Sequence, residues 1–512
     1  MPPHRTRLVI VALGWLFGSV ACAPYLAPTE IPPADFPELE SFRAALKTYV
    51  DQTQAFRKAA ADEGEAVPNQ TAADGAEQAV RVRQRMLAEA IQTTVRPAAQ
   101  PGDVLSATVA AVIRRELAAA FAGPKGDIIR DGLRDQIEEQ EAPPTTVAIN
   151  QVVAVPRVPP SMLETLPQLP QQVEFAFSGR MLILRDVDAD VVVDFIRDAL
   201  PDIPQAIDEP TTPQPTATPG LQPLFALPGI SGSTSFALIG DSGSGDAAQQ
   251  GVADAMLRYF TTARRFTFVL LLGDNLYHDD YQGEFAVPYA GLLERGVLFY
   301  AAPGNHDSEA QQHYKPFHMT DRLYYAFTEG NARFVVLNSN HPADDAQLAW
   351  FDSAFGDTGT KWRISFFHHP LYSSGNHAQQ SREIIRPVLE PALMRNRVDV
   401  VFSGHDHLYE RIAPQHGIRY FVSGGGGKDL YTFHQSPFDD AGSSEHHFMV
   451  AEIAGDQLFF EAITPQGRAL DCGVLSRTPD VAVKPQDQAT VTWLDGCRVA
   501  TAWRVNSAVG RR

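Results

Sequence analysis

Apolar and polar positions follow different periods in different parts of the chain. Between 23 and about 145, apolar residues recur every three to four positions, as in Phe42-Arg-Ala-Ala-Leu-Lys-Thr-Tyr-Val50 and Ala79-Val-Arg-Val-Arg-Gln-Arg-Met-Leu87. That spacing predicts amphipathic helices. Another helix is predicted over Val104 to Phe121, stopped by Gly123-Pro124. The pattern then changes to short strands and a helix, carried by Val173–Phe177, Met181–Leu184 and Ala189–Ile196, a small α+β segment within 151–200 or an extension of the amino-terminal part. From Pro201 to Gly232 the chain is dense in Pro, Thr, Gln and Gly and cannot bury enough apolar surface to fold, so it reads as an extended linker. The main domain boundary is placed there, at 201–232.

Past the linker, five apolar runs read as buried strands: Phe236–Ile239, Phe266–Leu272, Val297–Tyr300, Ile364–Phe367 and Val398–Phe402. Helices are expected over about 246–262, 344–356 and 379–396. Tyr324–Phe327 and Arg333–Leu337 read as a hairpin across Glu329-Gly330-Asn331. Ile418–Val422, His447–Ile453 and Gln457–Ala462 are strands again. This order predicts an α/β unit over 233–475, with mixed sheets covered by helices, followed by a tail over 476–512. The helical region 23–150 carries no chemical constellation and reads as a spacer or a partner-docking layer.

Composition narrows the partners. A chain of 512 residues is long enough for two or more domains, and 44% hydrophobic content is ordinary for globular protein. The charge of 42 − 61 = −19 argues against a surface that holds nucleic acid through its phosphates. At the amino terminus, Arg5 and Arg7 precede an apolar run, Leu8–Phe17, too short to span a bilayer, which fits a signal peptide over 1–22 and an exported protein. The small residues before Cys22 resemble a bacterial lipobox, although Ser19 stands where an aliphatic residue is usual. The reading is a periplasmic or cell-surface protein with a lipid anchor at Cys22, the alternative being an ordinary cleavage site nearby. Cys472 and Cys497 could pair in an exported chain or remain two buried thiols.

Five short pieces follow the five strands: Gly240-Asp241-Ser242-Gly243, Gly273-Asp274-Asn275-Leu276-Tyr277, Gly304-Asn305-His306-Asp307, His368-His369-Pro370 and Gly404-His405-Asp406-His407. In open α/β sheets ligands collect at the carboxyl ends of strands. Taken singly, a Gly-Asp after a strand is a turn or a helix cap, and a lone His is a packed or surface residue. Five pieces in order, each after a strand, point instead to a pair of metal ions sharing an anionic ligand. Two cations would neutralise a phosphate ester and generate hydroxide near neutral pH. The global charge does not oppose this, because local metal charge outweighs it.

These pieces resemble the calcineurin-like metallophosphoesterases, and among them the purple acid phosphatases. The first piece lacks the histidine two residues after Asp241 that the wider superfamily carries, while Tyr277 stands three residues after Asp274 as in purple acid phosphatases. The resemblance covers about 235 to 470 and implies a four-layer α/β/β/α sandwich. It implies one metal held by Asp241, Asp274, Tyr277 and His407, and a second held by Asp274, Asn305, His368 and His405. Carboxylates plus phenolate suit Fe(III); the second set suits Zn, Mn or Fe(II). By the same resemblance His306 contacts substrate and protonates the leaving alkoxide, His377 is a second proton-handling residue, and Asp307 orients His306 or a nearby loop. The reaction implied is hydrolysis of a phosphomonoester by metal-hydroxide attack.

Two other readings compete. One keeps the metals and changes the substrate to a phosphodiester or nucleotide. The other makes the protein an envelope adaptor whose amino-terminal helices bind a partner. Gly424–Gly427 lacks the Lys-Ser/Thr of a nucleotide loop and reads as a backbone turn. Tyr372 and Asn376 read equally as pocket-lining residues or as loop packing, and Asn338 stands where relatives carry Asp. His313, His318, His341, His369, His416, His434, His446 and His447 are read as surface, stacking or rim residues rather than ligands.

Overall fold

The computed structural model describes residues 38–68, 73–138, 147–153, 155–163, 165–201, 224–320, 322–356, 359–477 and 488–501. The expected signal peptide, Cys22 and most of the expected linker lie outside the described residues.

Two sheets face each other across one core. The first has six strands: β4 (Thr234–Ile239), β5 (Phe268–Leu271), β6 (Leu298–Ala301), β14 (Phe448–Ala454), β15 (Gln457–Ile463) and β16 (Ala469–Ser476), in the order β16-β15-β14-β4-β5-β6. The second has seven: β7 (Tyr325–Glu329), β8 (Ala332–Val336), β9 (Trp362–Phe366), β10 (Val400–Ser403), β11 (Tyr409–Gln415), β12 (Ile418–Ser423) and β13 (Asp439–Ser443), in the order β13-β11-β12-β10-β9-β8-β7. Parallel pairing runs through β4-β5-β6 at one end of the smaller sheet and through the central strands β8-β9-β10-β12 of the larger.

Aromatic side chains close the gap between the sheets. Phe236 of β4 meets Phe334 of β8 edge-on at 5.4 Å, and Phe421 of β12 meets Phe460 of β15 at 5.0 Å. Parallel strands buried on both faces need helices outside them. Helices Asp345–Ala354 and Arg386–Arg395 place Phe351 and Leu389 against Val335, Leu337 and Val401 of the larger sheet. Helix Ala247–Arg258 packs Val252 and Met256 into the core of the smaller one. Its first turn is capped by Asp246, whose carboxylate accepts from the amides of Ala248 and Gln249. The result is a layered α/β/β/α arrangement, as expected.

The amino-terminal residues form one further unit. Helices Glu38–Glu65, Ala73–Ala90, Ala107–Ala122 and Gly126–Glu138 share a core with a three-stranded antiparallel sheet, β1 (Val173–Ser178), β2 (Met181–Asp186) and β3 (Val191–Ile196). Phe42, Leu46, Leu117, Phe175, Leu184 and Val193 meet there. Ala189–Ile196, the stretch that also suggested a helix, supplies β3. Three consecutive valines, Val191 to Val193, favour a pleated strand buried on both faces.

This unit is packed against the α/β/β/α part rather than tethered beside it. Ala76 and Val80 join the core of the smaller sheet, and His313 lies 3.0 Å from the Asp188 carboxylate. Residues 224–232, assigned to the linker from composition, also lie against that part. Leu227 is buried, and the Glu452 carboxylate accepts from the amide of Gly229 and the hydroxyl of Ser233. Helix Gln488–Ala500 is tied to β16 by the Cys472–Cys497 disulfide, so the two thiols are paired. Trp493 of that helix stacks on Phe225.

Candidate metal centre

The candidate residues come together across the seam of the two sheets. Asp241, Asp274 and Asn305 follow β4, β5 and β6 of one sheet; His368 and the His405/His407 pair follow β9 and β10 of the other. Asp241, Asp274 and His405 have left-handed backbones, with φ of +56°, +52° and +71°. Such conformations are strained for residues other than glycine and persist where surrounding structure enforces them, commonly at functional sites. Here they turn the side chains back over the strand ends.

Asp241, Asp274 and His368 are fully buried, and one donor atom from each lies within 4.8 Å of the others. His368 Nε2 is 3.2 Å from Asp274 Oδ2 and 2.8 Å from Asn305 Oδ1. His407 Nε2 is 3.5 Å from Asp241 Oδ1 and 3.3 Å from the Tyr277 hydroxyl. His405 stands beside them, its ring 4.9 Å from that of His368 and its amide donating to both oxygens of Asp241. All seven proposed ligands therefore share one buried cluster.

Proton positions within it suit cations. His368 Nδ1 faces the Leu272 carbonyl at 3.0 Å, His407 Nδ1 the Asp429 carbonyl at 2.7 Å, and His405 Nε2 the Gln380 amide oxygen at 2.9 Å. A carbonyl oxygen can only accept, so each imidazole donates there, and its other nitrogen is the one that would offer a lone pair to a cation once it sheds its proton. Two carboxylates, a phenol, an amide oxygen and three such imidazoles fit the donor set of a dimetal site.

Electrostatics agree. Burial alone would raise the Asp274 carboxyl, but His368 and His306 beside it hold it well below the usual carboxylate range. Burial raises Asp241, which lies farther from His368. Burial also disfavours charge on His368, yet Asp274 and Asp241 outweigh it and push its pKa up to about 9. The cluster carries an excess of negative charge that draws positive charge inward.

The proton-handling candidates flank the cluster. The His306 amide donates to Asp274 Oδ1 at 3.0 Å, and its ring lies 4.9 Å from that of Tyr277. The His377 ring lies 4.0 Å from His405. Asp307 works on the loops. Its carboxylate accepts from the amides of Gly304, Asn275 and Leu276 and from the side chains of Asn275 and Gln311, pinning the second motif to the third. It is a positioning residue.

Several neighbours gave no usable signal in the sequence. His369, read as a surface, stacking or rim residue, is buried, with Nδ1 2.9 Å from the Ser339 hydroxyl and its ring packed 4.3 Å from that of His405. Its place one residue after His368 was the only hint. Gln380, Tyr431 and Lys428 also belong to the surroundings. Tyr431 stacks on His407 at 4.2 Å, and the Lys428 ammonium sits 4.5 Å from the centre of the Tyr277 ring. Tyr372 packs on Tyr420, and its hydroxyl donates to Glu390. Gly424–Gly427 crosses tightly over the first motif: a Cβ on Gly426 would lie 2.3 Å from the Gly240 carbonyl. That confirms a backbone turn.

Comparisons with known proteins coincide with this region. Residues 234–409 match the calcineurin-like phosphoesterase family. A purple acid phosphatase of Glycine max is 26% identical over 218 residues, 37% of this chain and 46% of that protein. Purple acid phosphatase 7 of Arabidopsis thaliana is 25% identical over 246 residues, 41% of this chain and 74% of that protein. The chain thus spans about half the length of the first of these relatives. Among solved structures, purple acid phosphatase PPD1 from yellow lupin (Lupinus luteus) seeds aligns with 61% of each chain covered, 16% identity and a TM-score of 0.41. With its strand-end carboxylates and imidazoles, the stretch 234–409 is a calcineurin-like phosphoesterase domain whose relatives include the purple acid phosphatases.

Proposed function

We propose that this protein is an exported metallophosphoesterase, anchored at Cys22, that hydrolyses phosphomonoesters at a two-metal centre. The observation that carries this reading is the convergence of Asp241, Asp274 and His368 within 4.8 Å, with Asn305, Tyr277 and His407 bonded around them. Asp241, Asp274, Tyr277 and His407 would hold Fe(III), and Asp274, Asn305, His368 and His405 would hold Zn, Mn or Fe(II). Bound there, the cations would offset the ester's negative charge and acidify water. Asp274 would be the anion shared between them. His306 hands a proton to the departing alkoxide, His377 supports proton movement on the other flank, and the buried walls exclude bulk water.

Purified protein should contain two metals per chain and show a visible charge-transfer band that disappears in Tyr277→Phe. Hydrolysis of 4-nitrophenyl phosphate should exceed that of bis(4-nitrophenyl) phosphate. A metal-free protein that still cleaves esters would overturn the assignment, and a faster diester reaction would move the substrate to that class.

The turn geometry makes a second prediction. A Cβ on Gly304 would fall 2.0 Å from Asp274 Oδ1 and 2.2 Å from its amide nitrogen. Neither atom can yield without moving the carboxylate. Gly304→Ala should therefore lose about 100-fold in kcat/KM, the order expected for an ångström-scale misplacement at a catalytic site. Steady-state kinetics together with metal content would check it.

A further inference from the structure

The amino-terminal unit reaches the candidate centre through Arg157. Residues 156–158 run beside β1 as an extra edge: the Phe177 amide donates to the Pro156 carbonyl, the Val158 amide to the Phe175 carbonyl, and Arg157 bridges Ala176. The backbone of Arg157 is thus fixed. Its side chain is only 7% exposed, and its Nε lies 2.6 Å from Glu174 Oε2. Glu174 Oε1 is taken by Arg185. All three guanidinium nitrogens of Arg157 are buried without a hydrogen bond among the described residues; Nε has its ion pair with Glu174, and the terminal nitrogens Nη1 and Nη2 have no such contact.

A buried guanidinium with idle donors is costly, since each unmet donor forfeits the water it gave up. Arg157 borders a cavity of about 10 Å³, the space of a single water or ligand oxygen. Glu174 and Phe175 line it from the amino-terminal unit; Asn305, Asn340 and His341 line it from the phosphoesterase domain. Asn305 is a proposed metal ligand. Asn340 spends its amide nitrogen on the Gly304 carbonyl and leaves its oxygen without a donor. Idle donors on one wall and an idle acceptor on another suit an oxyanion that also carries an O–H, such as a singly protonated phosphate.

We propose that Arg157 is a substrate-binding residue of the phosphoesterase site, its terminal nitrogens holding an oxygen of the phosphate group seated against Asn305. The amino-terminal unit thereby completes the site rather than merely adjoining it. Glu174 aligns the guanidinium by its contact at Nε, leaving the Nη pair for the ligand. This inference rests on the phosphoesterase reading.

The test uses the metal-loaded full chain and two probes, inorganic phosphate by calorimetry and 4-nitrophenyl phosphate by kinetics. Arg157→Met should weaken phosphate binding and raise KM by about 10- to 100-fold, the loss of one charge-assisted contact, with two metals retained. Arg157→Lys should recover part of this, because an ammonium keeps the charge but not the fork. Phosphate affinity within twofold of wild type in Arg157→Met, even with a lower melting temperature, would show a structural ion pair only and overturn the proposal. Should that variant fail to fold, His341→Glu at the cavity's more open side sets a carboxylate against the anion. It should weaken phosphate about 10-fold by the same logic, and unchanged affinity would equally overturn the proposal. A wild-type protein that neither binds phosphate nor cleaves the ester would sink the phosphoesterase reading together with this one.

Discussion

An Asp274→Asn protein should fold, lose most of its bound metal and hydrolyse phosphate esters at least ~1000-fold more slowly. The carboxylate accepts the His306 amide on Oδ1 and faces His368 Nε2 from Oδ2 at 3.2 Å. An amide of the same shape can still accept from His306, so the third motif stays in place. What it removes is the negative charge that, on the proposed reading, two cations would share. Loss of a single outer partner of a metal ligand already costs 10- to 100-fold in affinity or activity, and a bridging anion serves both ions at once. Elemental analysis and kcat/KM on one sample would check the expectation. A variant with two metals per chain and near-normal turnover would remove Asp274 from the centre of the site.

The effect on His368 gives an independent readout. Asp274 and Asp241 outweigh burial and hold this imidazole's pKa up to about 9 in the metal-free protein. With Asp274 neutralised, burial regains weight and the pKa should fall. For that reason metal-free Asp274→Asn should lose the stability that a charged His368 contributes. That contribution is full below the ordinary histidine pKa near 6.5 and vanishes as pH rises through about 9. Metal-free wild type should therefore gain stability over the variant as pH is lowered through this window.

Much of the centre was readable before any coordinates because strand ends are punctuated. A run such as Phe266–Leu272 fixes a buried strand, and the residues just after it must lie at the sheet's edge. The resemblance to purple acid phosphatases, which place a tyrosine three residues after the second aspartate, is what separates Tyr277 from ordinary aromatic residues. Other features depend on contacts between distant segments and had no local mark. His369 differs from a rim histidine only because Ser339 and His405 pack around it. Arg157 sits more than 140 positions before Asn305 in the chain, and nothing in its neighbours announces the cavity they share. Residues 224–232 read as linker by composition, yet one carboxylate, Glu452, collects their polar groups and draws them onto the sheet. Asp307 reads in the sequence as a partner for His306 or a nearby loop, and the five donors it gathers make it a clamp between two loops.

His306→Ala carries the other large expected loss, and its size should depend on the leaving group. The His306 amide is tied to Asp274, and its half-buried ring leans on Tyr277 at 4.9 Å, so the imidazole is held beside the cluster without belonging to it. A residue so placed can pass a proton to an alkoxide as the P–O bond breaks, a role worth about 100- to 10,000-fold. An alkyl phosphate needs that proton, because its alkoxide is a strong base. The phenolate leaving 4-nitrophenyl phosphate is a far weaker base and departs without it. Alanine should therefore cost about 100-fold or more in kcat with glycerol phosphate and far less with 4-nitrophenyl phosphate, with two metals still bound. Equal losses on both esters would mean that His306 serves binding or loop shape, and the acid role would pass to His377 on the opposite flank of His405.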